Sequence, residues 1–165
     1  MSSELRVNRI IPVDGVPTGG GGGVIQIVTK QILTSASSAT IPFDDTQPQS
    51  TEGFEVASLS ITPKSTSNII ILGASFMIDR YNGTYGIGCL FRGSTLLNVT
   101  FSNTQYSCLS LFYKDSPSST SLVTYSIRAG TNSGTSWVHS TNSGPVFGGN
   151  NGALSNYFWA MEVSG

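Results

Sequence analysis

The chain has 165 residues, only 10% of them charged, and its formal net charge is −1. Eight Lys and Arg residues in a near-neutral chain are too few to neutralise a long phosphate backbone, so we expect no nucleic-acid partner. No apolar stretch approaches the roughly 18 residues of a membrane-spanning helix, so we expect no membrane partner. One His, two Cys and few acidic residues predict neither an enzyme nor a cofactor or metal site.

The first 23 residues predict a docking arm followed by a hinge. Apolar and polar residues are interleaved up to Pro12, and five consecutive glycines end the segment. A glycine run has high backbone entropy and no side chains to pack, so it predicts flexibility. Two adjacent isoleucines favour docking over a solvated tail or an edge strand. The predicted docking residues are Leu5, Arg6, Val7, Arg9, Ile10, Ile11 and Pro12, and the predicted hinge residues are Gly19, Gly20, Gly21, Gly22 and Gly23.

Residues 24–165 predict one all-β domain. Apolar alternation at period two predicts about nine strands, at 24–33, 54–62, 69–79, 85–92, 96–101, 106–113, 122–129, 135–140 and 153–163. The alternation changes phase between Val56 and Leu59, which predicts a β-bulge or bend. Turn-forming clusters separate the strands, and the cluster at 92–95 is a strong hairpin signal. The sequence therefore predicts an antiparallel β-sandwich or jelly-roll knob behind an extended N-terminal arm.

Few residues suggest reactive chemistry. Cys89 and Cys108 lie in apolar runs and predict two buried thiols, although a disulfide stays open because the sequence does not show whether they are neighbours. The single histidine, His139, predicts a packing or surface residue. Asp44 and Asp45 lie in a loop and predict solvated acids rather than half of a catalytic carboxylate pair. Nothing in the sequence indicates that Asp79, Asp115 or Glu162 is paired in space.

Three aromatic residues offer an alternative, binding role. Tyr81, Tyr85 and Trp137 stand beside Asn, Ser and Thr, and rings next to short polar side chains suit the face of a glycan. The competing interpretation places the same rings in the core or in a subunit interface, since the sandwich needs large apolar side chains.

Three stretches, in this order, resemble bacteriophage virion proteins. The opening SELRVNRIIPVDGVPTGGGGG resembles the N-terminal arm of structural proteins of marine cyanophages and related phages. The stretch DDTQPQSTEGFEVASLSITPKSTSNIIILGASF resembles a domain of phage virion and tail-fibre-like proteins. The segments FRGSTLLN, YKDSPSSTSLVTYSIRAG and FWAMEVSG match the hairpin, turn and closing strand of that domain. All of these are strand and turn signatures, and none is a catalytic motif.

The resemblance implies a trimeric β-sandwich knob, hence a homotrimer. The strand over 69–79 is apolar on both faces, and Ile69, Ile71 and Met77 on its second face would contact a neighbouring subunit. The implied function is an accessory virion protein, either a capsid decoration or cement protein or a short head fibre. Its arm would dock on the major capsid protein or another virion protein.

Two further expectations follow from the resemblance and from the start of the chain. No shaft separates arm from knob, which favours a short appendage over a full fibre. We expect synthesis in the host cytoplasm, since the start of the chain lacks a secretory apolar run, and location on the virion, on the outer capsid surface or at the tail. The alternative is a tail-fibre knob that recognises a host surface glycan.

Overall fold

The computed structural model describes residues 23–33, 39–147 and 156–165. Within these ranges the chain forms nine β-strands, at or near the positions that the sequence predicts. They are β1 Val24–Gln31, β2 Phe54–Ile61, β3 Ile69–Asp79, β4 Gly86–Arg92, β5 Thr95–Ser102, β6 Tyr106–Asp115, β7 Val123–Thr131, β8 Trp137–Val138 and β9 Tyr157–Val163. In the part described, no helix is long and apolar enough to cross a membrane.

The strands form two antiparallel sheets that pack as a sandwich. The five-stranded sheet has the order β1-β9-β3-β6, with the short β8 also paired to β3, and the four-stranded sheet has the order β2-β7-β4-β5. This alternation of distant strands is the order of a jelly roll. The prediction of an all-β antiparallel sandwich is therefore confirmed.

The main core lies between the two sheets and follows the period-two pattern of β3. Ile70, Leu72 and Phe76 are fully buried on its inner face. They pack against inward-facing residues of the other strands, which include Leu111, Tyr125, Ile127, Phe158 and Ala160. Alternate residues of a strand face opposite sides, so one apolar stripe per strand is enough to build this core.

A smaller core covers the outer face of the four-stranded sheet. The segment 39–53 crosses this face, and its Ile41 packs with Ile87, Cys89 and Phe91 of β4. Ile41 N donates to Thr131 O of β7 at 3.1 Å and attaches the segment to the sheet, and Gly53 N donates to Thr40 O at 2.8 Å and joins the two ends of the segment. Gly53 has a φ of +60°, and a Cβ there would lie 2.6 Å from a carbonyl oxygen of β7, so the crossing requires glycine.

The strand directions separate two ends of the sandwich. At the first, which we call the arm end, Val24 pairs with Val163, and Ser164 N donates to Gly23 O at 3.0 Å. At the opposite end, which we call the loop end, β3 finishes at Asp79 beside Tyr106. The segment 39–53 reaches this loop end, since Ile41 bonds to the last residue of β7. The predicted docking arm and the hinge residues before Gly23 lie outside the described residues.

Local details confirm some sequence predictions and correct others. The predicted bulge in β2 is present, with a register shift between Glu55 and Ala57. The hairpin at 92–95 is also present, and Gly93 at its tip has a φ of +56°. The strand predicted over 135–140 shrinks to β8, because His139 adopts a φ of +60° that ends the extended conformation.

The cysteine prediction is wrong for one of the two residues. Cys89 is buried as expected, but Cys108 is exposed, and both thiols are free. In β6 the alternation directs Leu109 and Leu111 inward. Cys108 therefore faces outward, where its Sγ lies 3.0 Å from the hydroxyl of Ser75. The apolar run around Cys108 had hidden this alternation.

Candidate functional site

The outer face of the five-stranded sheet carries apolar residues across all four long strands. Directly opposed residues share a face. One row therefore joins Ile27, Met161 and Ile71 and ends at Lys114, and the next row begins at Thr29 and joins Trp159, Gly73 and Phe112. Ile27 is 59% exposed and Phe112 is 62% exposed. We call this surface the outer apolar face; it consists of Val24, Ile27, Ile69, Ile71, Met77, Phe112, Tyr157, Trp159, Met161 and Val163.

A glycine lets the largest side chain of this face lie close to the sheet. A Cβ on Gly73 would come within 2.2 Å of the Trp159 ring. The indole therefore occupies the space that the side chain of any residue other than glycine would take at position 73.

The predicted interface residues lie on this outer apolar face. Ile69, Ile71 and Met77 are half-buried there, and Met77 also borders a cavity of about 340 Å³ with Tyr106 and Phe147. The structure brings the three together on one strand. Their role in contacts between subunits stays a prediction.

A second candidate site is an aromatic cluster at the loop end. The rings of Phe43 and Tyr85 stack at 3.9 Å between centroids and 17° between planes. Phe101 stands edge-on to both, at 5.1 Å from Phe43 and 5.8 Å from Tyr85. Such edge-to-face arrangements stabilise ring clusters beyond simple area burial. Phe43 and Phe101 stay 47% and 55% exposed.

The cluster borders a cavity of about 340 Å³, which we call the aromatic pocket. The 42–48 loop forms one wall, and outer-face residues of β4 and β5 form the other. The lining residues are Pro42, Phe43, Asp44, Asp45, Thr46, Gln47, Pro48, Ile87, Leu96, Val99 and Phe101.

Internal hydrogen bonds shape the loop of the aromatic pocket. Asp44 Oδ1 accepts from Thr46 N at 2.8 Å and from Thr46 Oγ1 at 2.6 Å. These bonds lower the pKa of Asp44. Gln49 N donates to Glu52 Oε2 at 2.9 Å and closes the following turn. The exposure predicted for Asp44 and Asp45 is confirmed.

Of the three residues predicted for glycan binding, one lies in the aromatic cluster, and the role of all three in binding a glycan stays a prediction. Tyr85 belongs to the aromatic cluster, where it stacks on Phe43. The ring contacts within the described residues do not include Tyr81 or Trp137. Phe43 and Phe101 were not predicted as its partners, because both are distant in the sequence: Phe43 lies in a loop, and Phe101 ends a predicted strand with no signal for what its ring contacts.

The acidic residues that look isolated in the sequence are buried and bonded. Arg92 Nη1 donates to both carboxylate oxygens of Asp115, at 2.8 and 3.0 Å, and Tyr125 Oη donates to Asp115 Oδ2 at 2.6 Å. Burial and this carboxylate raise the pKa of Tyr125. Asp79 Oδ2 accepts from Asn142 N at 2.9 Å. Asp115 therefore links β6 to β4 and β7 of the other sheet, and Asp79 stabilises the loop after β8.

Glu162 has the largest number of partners among these carboxylates. It is fully buried, and it accepts from Gln26 Nε2 at 2.5 Å, from Lys64 N at 2.6 Å and from Asn68 Nδ2 at 2.6 Å. One side chain of β9 therefore joins β1 to the turn before β3. Across the described residues, no three His, Cys, Asp or Glu side chains form a group that could hold a metal.

His139 agrees with the packing interpretation. It is 2% exposed, and its Nδ1 lies 2.7 Å from Asn156 Nδ2. The pair links the end of β8 to the start of β9.

Fold and surfaces together define a jelly-roll β-sandwich domain with an apolar outer sheet face. Residues 43–159 match the family model described as the Pgp3 C-terminal domain, and the chain belongs to this family. Membership in this family is coarsely consistent with self-association. No curated protein matches the sequence. Among solved structures, the C-terminal CBM6 domain of LamC, a marine laminarinase from Zobellia galactanivorans, is similar at 12% identity and a TM-score of 0.33, over 81% of this chain and 99% of that domain.

Proposed function

We propose that the chain is a homotrimeric accessory protein of a phage virion, a capsid decoration or cement protein or a short head fibre. The outer apolar face is the observation that carries this proposal. A sandwich sheet that meets water usually exposes polar side chains. Here the two outermost of the four long strands expose Ile27 and Phe112 by more than half, and β9 between them adds Trp159 and Met161.

Self-association would bury this surface. Contiguous exposed apolar patches of more than a few hundred square ångströms mark interaction sites on soluble proteins. A closed ring of three copies satisfies every such surface equally, whereas an open arrangement would continue into a filament. The choice of three copies rests on the resemblance to phage knobs.

The position of the arm supports anchoring to a larger particle. Residues 1–22 precede Gly23, so the arm joins the domain at the arm end, next to the C-terminus. Three arms on one trimer would bind a capsid lattice with avidity, so each arm needs only weak affinity.

The self-association part is tested by the mass of the full chain in solution. We expect the wild type to sediment as three chains at micromolar concentration. Phe112→Asp places a charge on the outer apolar face and should release single folded chains. Leu122→Asp is the matched control, because Leu122 is 68% exposed in the loop before β7. A wild type that stays a single chain, or equal effects of both variants, would contradict the proposal.

The virion part needs its own experiment. Gold labelling of intact particles should place the protein over the icosahedral shell. The full chain with Ile10→Glu and Ile11→Glu should still form trimers but should no longer be incorporated. Incorporation of this variant would refute docking by the arm, and label at the tail alone would favour the receptor-binding alternative.

A further inference from the structure

The aromatic pocket combines two kinds of surface. The wall that β4 and β5 form is apolar, with Ile87, Leu96 and Val99 beside the ring of Phe101. Among the described residues that line it, Asp44 and Asp45 carry the charge, and both are negative. The pocket therefore joins an apolar wall to an anionic rim.

We propose that the aromatic pocket binds the side chain of a Lys or Arg residue presented by another protein. Such side chains combine an apolar stem with a cationic head. The stem matches the aliphatic wall, and the head matches the Asp45 carboxylate and the electron-rich ring of Phe101. A volume near the lower end of ligand pockets, which run from roughly 300 to 1,000 Å³, suits one side chain.

The same chemistry makes other occupants poorer matches. A metal ion would be offered the neighbouring carboxylates of Asp44 and Asp45 as ligands, and one oxygen of Asp44 already accepts two hydrogen bonds from Thr46. A nucleic-acid phosphate would be repelled by both acids. A neutral sugar could stack on Phe101 but would make no use of the charge. The hydrogen bonds from Thr46 lower the pKa of Asp44, so this carboxylate keeps its charge to a lower pH than an Asp side chain without them.

The location also favours a partner outside the trimer. The aromatic pocket lies on the outer side of the four-stranded sheet, and the proposed self-association surface lies on the other sheet. Its aromatic rings lie at the loop end, and its lining extends from there along β5 to Leu96. The chain's own arm could compete with such a partner for the pocket, because the arm contains Arg6 and Arg9.

The test is an NMR titration of the full-length chain with two matched probes. Nα-acetyl-lysine methylamide carries the charge, and Nα-acetyl-norleucine methylamide has a similar stem without it. We expect shifts at residues 43–47 and 99–101, with the lysine probe binding about tenfold more tightly. Raising the salt concentration should weaken the lysine probe and leave the norleucine probe unchanged.

Variants separate the ring from the charge. Asp45→Asn and Phe101→Leu should each weaken the lysine probe about three- to tenfold. The matched controls, Glu55→Gln on β2 and Phe112→Leu on the outer apolar face, should leave its affinity unchanged.

Four results would overturn the proposal. Equal affinity for both probes would show that the pocket recognises the apolar stem and not the charge. Tighter binding of methyl hexosides at the same signals would assign it to a glycan. A threefold or greater gain of affinity in the Arg6→Gln and Arg9→Gln double variant would assign it to the chain's own arm. Loss of self-association in Phe101→Leu would make it a contact between copies.

Discussion

Replacing Glu162 with Gln is expected to lower the free energy of unfolding by about 2–4 kcal/mol. The carboxylate is fully buried, and its three described partners, Gln26 Nε2, Lys64 N and Asn68 Nδ2, are all donors. A glutamine offers one acceptor oxygen in place of two. That oxygen can still serve Lys64 and Asn68, but the new amide then faces the amide of Gln26.

The magnitude follows from these bonds. Losing the bond to Gln26 costs about 1.5–3 kcal/mol, the usual range for a hydrogen bond to a charged group. The two remaining bonds become neutral, and each weakens by about 1 kcal/mol. Removing a buried charge returns part of this loss, because its desolvation penalty disappears. The net change corresponds to a fall in Tm of roughly 5–15 °C for a chain of this size.

The assay is thermal and urea unfolding at a fixed protomer concentration, since self-association would add to the apparent stability. Glu55→Gln on β2 makes the same chemical change at an exposed position and should shift the free energy by less than about 0.5 kcal/mol. A Glu162→Gln variant as stable as Glu55→Gln would refute the reasoning, because the three bonds would then contribute nothing beyond solvent.

Four further outcomes are expected. At pH 8 an alkylating reagent should modify one thiol per native chain, Cys108, and mass mapping of the product should leave Cys89 unmodified until denaturant is added. Burial raises the pKa of Cys89 to about 12 in the folded chain. The unfolded chain therefore loses the thiol proton of Cys89 at a lower pH than the folded chain. The free energy of unfolding should fall as the pH rises from about 9 towards 12, which urea unfolding at a series of pH values would measure. Tyr125→Phe removes a buried donor to a carboxylate and should cost about 1.5–3 kcal/mol in urea unfolding. Gly73→Ala should displace the Trp159 ring, changing its fluorescence and destabilising the fold by about 1–3 kcal/mol.

The sheet strands were predictable because each carries its own periodic signal. β3 shows it best, since its alternation of large apolar residues marks both the strand and its inner face. The hairpin at 92–95 was equally local, because Gly93 supplies the positive φ that the turn needs. Strand pairing was less accessible, since β1 lies next to β9 at the other end of the chain.

The candidate sites depend on contacts that no short stretch of sequence contains. Phe43 and Phe101 meet because the 39–53 segment crosses the four-stranded sheet. Glu162 looked isolated because its partners lie 94, 98 and 136 residues away. The exposure of Cys108 was hidden for a different reason. The run over residues 106–113 has apolar residues at both odd and even positions, so it is compatible with burial on one face or on both.

The buried carboxylate of Glu162 also has a mechanical consequence for the proposed anchor. Gln26 lies three residues after Gly23, and its amide bonds both to Glu162 and to Thr62 O at 2.8 Å. A pulling force on the arm would therefore be transmitted to β9 and to the turn before β3, so β1 would not separate from the edge of the sheet by itself. If the arm anchors the domain, Glu162→Gln should lower the force or temperature at which the knob is lost from particles. Substitutions in the aromatic pocket, at the other end of the sandwich, should leave that retention unchanged.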